Sequence, residues 1–376
     1  MSGGVDSSVA AALLAQDGYE VVGLTMKLFD RTTTGSPVES QRGCCSIDAL
    51  NRAAAVCRSL NIPHYSIDLI VEFNQYVIQD FINDYIEGRT PNPCVRCNAY
   101  LKWGSLFEKA KLLGCDFLAT GHYARVVESG HEFQLRRASD PDKDQAYALW
   151  GIPLGKLSNT LFPLGSSKKT EVRKIASELG LKTAQTRESQ EICFVPDGHY
   201  SQFLERHRPE FFESLNTGEL LEQETNQLKK VGRHSGYPFY TVGQRKGLGG
   251  GFSEPRYVLR VHPESNQVII GRKEELLERR FLVDQVNWLI PVPGGSIRAE
   301  VQVRYRSRAF PASISRIKAG DDGLEDRLLV EFDQPVEAIA PGQSAVFFQG
   351  DRLIGGGRIC EVLHRNSRKE AKAMEV

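Results

Sequence analysis

Long apolar runs are missing from this chain: none approaches the roughly 18 residues of a membrane span, and no basic segment followed by an apolar stretch opens it. A cytoplasmic protein without a membrane partner is expected. Charge of one sign is missing too, since Lys plus Arg and Asp plus Glu stand at 47 each. Bulk charge therefore gives no argument for nucleic acid, and any RNA contact must be local. Repeats and low-complexity tracts are also absent. What is there is 376 residues, 41% apolar and 25% charged, enough for two or three globular domains. Eight cysteines without a secretory signal point to thiol chemistry or metal rather than to a disulfide framework.

The most informative stretch is Ser2-Gly3-Gly4-Val5-Asp6-Ser7-Ser8, which opens directly onto an apolar helical run. Glycines let the backbone approach an oxyanion, the serines add hydroxyl donors, and the helix N-terminus adds N–H groups and partial positive charge. A phosphate chain is the expected ligand. The loop lacks the lysine of a Walker motif, so ordinary ATPase chemistry is disfavoured. A glycine turn capping a helix would explain any two of these residues but not the set. The loop resembles the signature of the PP-loop ATP pyrophosphatases, which bind the pyrophosphate end of ATP while adenylating a substrate carbonyl oxygen. In such sheets the loop follows a buried strand, and here only Met1 precedes it. A first strand missing through a mis-assigned start is the expectation.

From residue 6 to about 120, helical patterns (6–17, 45–60, 71–87, 98–113) alternate with strand patterns (20–26, 64–68, 116–120). This implies βαβ units, a parallel sheet, and ligands at the carboxyl ends of its strands, where Met26 and Thr120-Gly121-His122-Tyr123 fall. A further helix at 169–179 closes this half. The expected organisation is α/β: a PP-loop domain over 1–205, a small mixed domain over 206–265, a C-terminal β-barrel over 266–364, and a polar tail over 365–376. Three basic clusters are local RNA candidates: Lys168-Lys169 to Arg173-Lys174, Lys229-Lys230 with Arg233, and Arg304 to Arg308. Taken singly, such clusters are more often solvated faces.

Two cysteine segments complete the pattern. Pro91-Asn92-Pro93-Cys94-Val95-Arg96-Cys97 sets a Cys-x-x-Cys at a helix start, where a lowered thiol pKa is expected, and Glu191-Ile192-Cys193-Phe194 adds a third cysteine far along the chain. Cys57, Cys115 and Cys360 read as core packing, with Cys115 opening a buried strand. Trp103, Trp150 and Trp288 read as core anchors. Cys44 and Cys45 lie in a polar loop and carry no reading.

With both segments in view the chain resembles the tRNA-specific 2-thiouridylases over nearly its whole length. Further matching pieces are Lys143-Asp144-Gln145, residues 241–249 and Pro341-Gly342-Gln343. The resemblance implies ATP binding by Ser2, Gly3, Gly4, Val5, Asp6, Ser7, Met26 and Gly121. It implies a nucleophile at Cys97 and a persulfide-bearing cysteine at Cys193. It implies contact with the target base by Asn92, Pro93 and Cys94, and tRNA contact by His122, Lys143, Asp144, Gln145, Arg304, Tyr305 and Gln343. ATP with Mg²⁺, tRNA, and a sulfur donor such as a cysteine desulfurase or relay protein are the implied cofactors and partners. No resident metal is expected. Many members carry aspartate where this chain has Cys94, and an iron-sulfur cluster on Cys94, Cys97 and Cys193 is the less favoured alternative to persulfide chemistry. A zinc site would need a fourth ligand from Cys44 or Cys45. The rival readings are another adenylating PP-loop enzyme, such as a synthetase or lysidine-type ligase, and an RNA-binding module with a regulatory nucleotide loop.

Overall fold

The computed structural model describes residues 1–28, 47–185, 192–195, 199–224, 227–249, 251–317 and 327–364. Cys44, Cys45, Glu191 and the expected polar tail lie outside them. The chain divides into two units. One comprises Met1–Gln79, Pro93–Tyr200 and Asp351–Ile354, and the other Asp80–Asn92, Ser201–Gly350 and Gly355–Val376.

In the first unit, helix α1 (Val5–Gln16) starts at once after the glycine turn and buries Val5, Ser8, Val9, Ala10, Ala11, Ala12 and Leu14. Small residues all round make it an interior helix without a solvent stripe. Helix α2 (Ile47–Ser59) is amphipathic: Ala49, Ala53, Val56 and Cys57 recur on its buried face. It packs on strand β1 (Gly23–Lys27), where a side chain at Gly23 would run into the Cys57 sulfur. Strand β2 (His64–Asp68) pairs parallel with β1, from Gly23 opposite His64 to Lys27 opposite Asp68. On the far edge of β1, the Met1 amino group donates to the Leu24 carbonyl and the Thr25 hydroxyl donates to the Met1 carbonyl.

Helices α3 (Ile70–Phe73) and α4 (Gln79–Ile86) are joined by a π-helical turn, Asn74–Ile78. Helix α5 (Pro93–Arg96), the wide π-helical turns of Cys97–Leu106 and helix α6 (Phe107–Leu112) follow one another directly, with a kink at Gly104, where φ −97° and ψ −107° are not helical. Strand β3 (Leu118–Ala119) pairs parallel with β6 (Thr160–Leu161), and β4 (Ala124–Ser129) forms a hairpin with β5 (Glu132–Arg137). Helix α7 (Lys169–Glu178) lays Val172 and Ala176 against Val5, Val9 and Ala10 of α1, with Tyr123, Leu164 and Leu181 completing the cluster. Each valine so buried contributes about 1.5–3 kcal/mol.

The expected parallel pairing is therefore present, but among the described residues it runs as two pairs, β1–β2 and β3–β6, rather than one ladder. Cys115 does not open a buried strand. It is half-buried in the turn after α6, its N–H on the Ala110 carbonyl, and the strand begins three residues later.

The second unit holds most of α4, with α8 (Tyr200–His207) and α9 (Pro209–Ser214). Its smaller sheet runs β8–β7–β10–β9, from β7 (Gly218–Glu224), β8 (Gln227–His234), β9 (Tyr257–His262) and β10 (Gln267–Gly271), with β7 and β10 parallel. Leu220, Tyr237, Leu248, Val258, Val268 and Ile270 form its core. The barrel is built from β11 (Leu277–Trp288), β12 (Ile297–Gln302), β13 (Phe310–Ile317), β14 (Arg327–Glu337), β15 (Ser344–Gln349) and β16 (Arg352–Leu363). Its order is β11–β14–β13–β12–β15–β16, closed by β11 on β16. Closure removes the exposed edges, and alternate residues of β14 (Leu328, Val330, Phe332) point inward to meet Phe281.

Candidate functional site

The glycine turn is shaped by its support. Gly3 has φ +68°, and a Cβ there would sit 2.3 Å from the Ala49 carbonyl oxygen of α2, so no side chain fits. Arg52 of α2 donates from Nε to the Gly3 carbonyl. The hydroxyls order the turn from within: Ser7 and Ser8 donate to the Gly4 carbonyl, and Ser2 meets the Ser7 Oγ through both its N–H and its hydroxyl. The result is a rigid loop at the N-terminus of a 12-residue helix. Met26 lies half-buried near the carboxyl end of β1, opposite Ile67.

The segment after β3 is the hub of this unit. A Cβ on Gly121 would fall 2.7 Å from the backbone carbon of Asp6 and the nitrogen of Ser7, so this glycine packs directly on the first turn of α1. Next to it, the Tyr123 hydroxyl donates to Asp6 Oδ1 at 2.8 Å. Asp6 also receives Lys169 Nζ on both oxygens, at 2.7 and 2.8 Å. In the other direction, His122 Nε2 meets Lys102 Nζ at 3.3 Å and its Nδ1 meets the Thr120 hydroxyl at 2.7 Å. Burial, and secondarily the Lys102 cation, hold His122 well below the usual histidine range. The ring is thus neutral near pH 7: Nε2 accepts from the ammonium and Nδ1–H donates to Thr120.

Lys102 belongs to the π-helical turns that begin at Cys97, and the same turns are pinned twice more. Asn98 donates to the Ala148 carbonyl at 2.8 Å, and the fully buried Trp103 donates from Nε1 to the Thr160 hydroxyl of β6. Residues 120–123 therefore connect the glycine turn on one side to the cysteine-bearing helix on the other. π-Helical turns of this kind recur at functional sites. Cys94 is exposed on α5, while Cys97 and Cys193 are half-buried. The Arg96 guanidinium lies 4.6 Å over the Tyr100 ring, which stacks in turn on Tyr76. Cys193 sits in a turn closed by the Val195 N–H on the Ile192 carbonyl. Phe194 anchors that turn edge-on to Phe73 of α3 at 5.7 Å, and α3 packs on the helix that starts at Cys97.

Lys143, Asp144 and Gln145 lie beside the same hub. Asp144 accepts from Arg137 and from the Ala138 and Ala146 N–H groups, and Gln145 exchanges two hydrogen bonds with the Tyr123 backbone. Asp144 and Gln145 are thus committed to holding the loop, and Lys143 is half-exposed at its tip.

In the second unit, Gln343 donates from Nε2 to the carbonyls of Thr90 and Pro91, and Thr90 N–H donates to the Pro341 carbonyl. A Cβ on Gly342 would be 2.6 Å from the Thr90 oxygen. Pro341-Gly342-Gln343 thereby clamps the segment that leads into Asn92. Arg304 donates to the Val242 carbonyl at 2.8 Å, at a turn held by the Gln302 amide on the Arg304 and Tyr305 carbonyls; Tyr305 is exposed. Thr90, residues 241–244, Arg304 and Gln343 line one open cavity. Among the described residues no three histidine, cysteine or carboxylate side chains converge as a metal-holding group. As placed, Cys94, Cys97 and Cys193 do not form such a group.

Sequence reasoning missed Lys169, Lys102 and the role of Tyr123. Lys169 stood in a basic run read as surface or RNA contact, and only its burial beside Asp6 corrects that.

Three family profiles tile the chain: tRNA methyl transferase HUP domain over residues 1–197, tRNA methyl transferase PRC-barrel domain over 201–272, and aminomethyltransferase beta-barrel domain over 278–359. Fold and site together define an α/β protein of the HUP class carrying two β-rich modules. Curated relatives sharpen this. The protein named tRNA-specific 2-thiouridylase MnmA of Cytophaga hutchinsonii is 44% identical over 96% of this chain and 95% of its own length. Those of Amoebophilus asiaticus and Heliobacterium modesticaldum are also 44% identical over 96% of the chain, covering 93% and 91% of their own lengths. The chain belongs to the tRNA-specific 2-thiouridylase family. Among the described residues, no helix is long and apolar enough to cross a membrane.

Proposed function

We propose that this protein replaces the 2-oxygen of the wobble uridine of tRNA with sulfur, using ATP to make that oxygen a leaving group and a persulfide on Cys193 as the sulfur source. The observation that carries the reading is the hub at residues 120–123, which ties an anion-binding loop to the helix of Cys97. Oxide cannot leave from a uracil carbonyl in neutral water, so the oxygen is first adenylated. The uracil oxygen attacks the α-phosphate of the ATP–Mg²⁺ substrate, and pyrophosphate departs into the loop of residues 2–8. The terminal persulfide sulfur then attacks C2 and AMP leaves. The Cys97 thiolate attacks the Cys193 sulfur, forming a Cys97–Cys193 disulfide and releasing the thiolated base; an external thiol reductant resets the pair. In the alternative order, Cys97 attacks first and frees hydrosulfide as the nucleophile.

The sulfur reaches Cys193 from a persulfide-carrying donor protein. The base must be extruded from its loop to meet this chemistry, so RNA recognition rests on loop shape and phosphate contacts. Mass spectrometry of nucleosides from tRNA incubated with ATP, a persulfide source and the protein tests the reading: 2-thiouridine is expected with wild type. With Cys193→Ser, tRNA-dependent pyrophosphate release should persist without thiolation. Full-rate thiolation by that variant would overturn the role of Cys193.

A further inference from the structure

We propose that the stack of Arg96, Tyr100 and Tyr76 is a platform for an unpaired nucleobase of the substrate RNA, the base next to the target uridine in its chain. This deepens the reading above and rests on it for the identity of the RNA.

Tyr76 comes from the π-helical turn Asn74–Ile78, Tyr100 from the turns that begin at Cys97, and Arg96 from the end of α5. The two tyrosine rings are stacked, 11° from parallel with centroids 5.2 Å apart. The Arg96 guanidinium lies 4.6 Å over the Tyr100 ring, and its Nη1 donates to the Tyr100 hydroxyl at 3.3 Å. The core is packed without these side chains. The buried face of the same turns is made by Asn98, Leu101, Trp103 and Leu106, whereas Tyr100 is 39% exposed and Arg96 and Tyr76 are half-buried. A flat aromatic and cationic surface is thus left open to water on the segment that carries the exposed Cys94 and the half-buried Cys97. Such surfaces hold single-stranded RNA, each unpaired base stacking on an aromatic ring or a guanidinium plane. Of the two ends of the stack, Arg96 is the residue before Cys97, so a base laid on it neighbours the one under reaction. Extrusion of the target uridine breaks its stacking with the adjacent bases, and the platform gives one of them a new partner. A chain with equal numbers of acidic and basic residues has no bulk field to hold RNA, and stacking is a local contact that needs none.

Filter binding of the full chain to tRNA carrying a normal or an abasic nucleotide at either neighbour of the target uridine tests this, with melting temperature and ATP affinity as controls for folding. With wild type, one of the two abasic positions is expected to weaken binding by about 5- to 150-fold, the range of a single base–aromatic stack. Arg96→Ala and Tyr100→Ala should show a loss of that order with intact tRNA and no further loss with the same abasic tRNA, because the partner of the missing base is already gone. Tyr100→Phe keeps the ring and should bind close to wild type. Losses that multiply between the protein and RNA changes at both positions would make the stack a packing element and overturn the proposal, as would wild-type tRNA affinity in a folded Arg96→Ala. If the coupling is found but no tRNA is thiolated, the functional reading fails while the inference stands.

Discussion

Replacing Gln343 with leucine removes an amide that donates to two backbone carbonyls, and the expected loss is in turnover rather than in the grip on tRNA. The bonds to Thr90 and Pro91 are 3.1 and 3.0 Å long, of ordinary geometry, and Pro91 is buried, so water is a poor substitute there. At about 1 kcal/mol each they hold the approach to Asn92 with about 2 kcal/mol, which corresponds to about 30-fold if all of it is spent on positioning. The segment has other anchors: Arg89 and Arg358 both meet the buried Asp84, so the fold should survive the change. Initial rates of 2-thiouridine formation against tRNA concentration, beside filter-binding affinities, separate the possibilities. A clamp predicts kcat reduced by about 30-fold with the tRNA Kd within about threefold of wild type. A Kd that rises as far as kcat/KM falls would make Gln343 an RNA contact and refute the reasoning.

Arg304→Gln keeps a donor for the Val242 carbonyl but removes the charge; if Arg304 meets a phosphate, the slope of log affinity against log salt falls by about 1 with ATP binding unchanged. An unaltered slope removes Arg304 from the RNA contacts. Burial pushes His64, His122 and His234 below the usual histidine pKa, so the unfolded chain takes up protons near pH 6.5 that the folded chain resists. Stability should rise with pH through that region and be lost below it, each such histidine adding a slope of up to about 1.4 kcal/mol per pH unit; equal urea midpoints at pH 5 and 7.5 would count against this. Cys57 is fully buried and burial pushes the Cys360 thiol up to about 11, so native protein at pH 7.5 should leave both unmodified by iodoacetamide until urea is added. Modification of either at the rate of an unfolded thiol would contradict the packing.

What was legible in the chain was whatever the chemistry required to be contiguous. The loop of residues 2–8 could be read because its glycines, hydroxyls and helix start act together within one turn, and the Cys-x-x-Cys because its spacing is local. The C-terminal barrel was legible as strand-forming sequence with no intervening helix, and β2 by its run from His64 to Asp68. Partners distant in sequence were not. Lys169 reads as part of a solvated basic run until α7 lies on α1, and Gln343, given by resemblance as a tRNA contact, has its amide on Thr90 and Pro91. Likewise the unbroken parallel ladder expected from alternating strands and helices did not follow from local pattern, because strand length is set by what each edge meets. β3 and β6 stop after two paired residues, where the chain turns into the hub that abuts Asp6 and Ser7. The same contrast orders the site's chemistry. Groups that touch a ligand directly are expected from short motifs, whereas the groups that set their charge and position, Lys169 and Tyr123 on Asp6 and Lys102 on His122, come from other elements. A substitution at these supporting positions should therefore change affinity or turnover while leaving every motif residue in place.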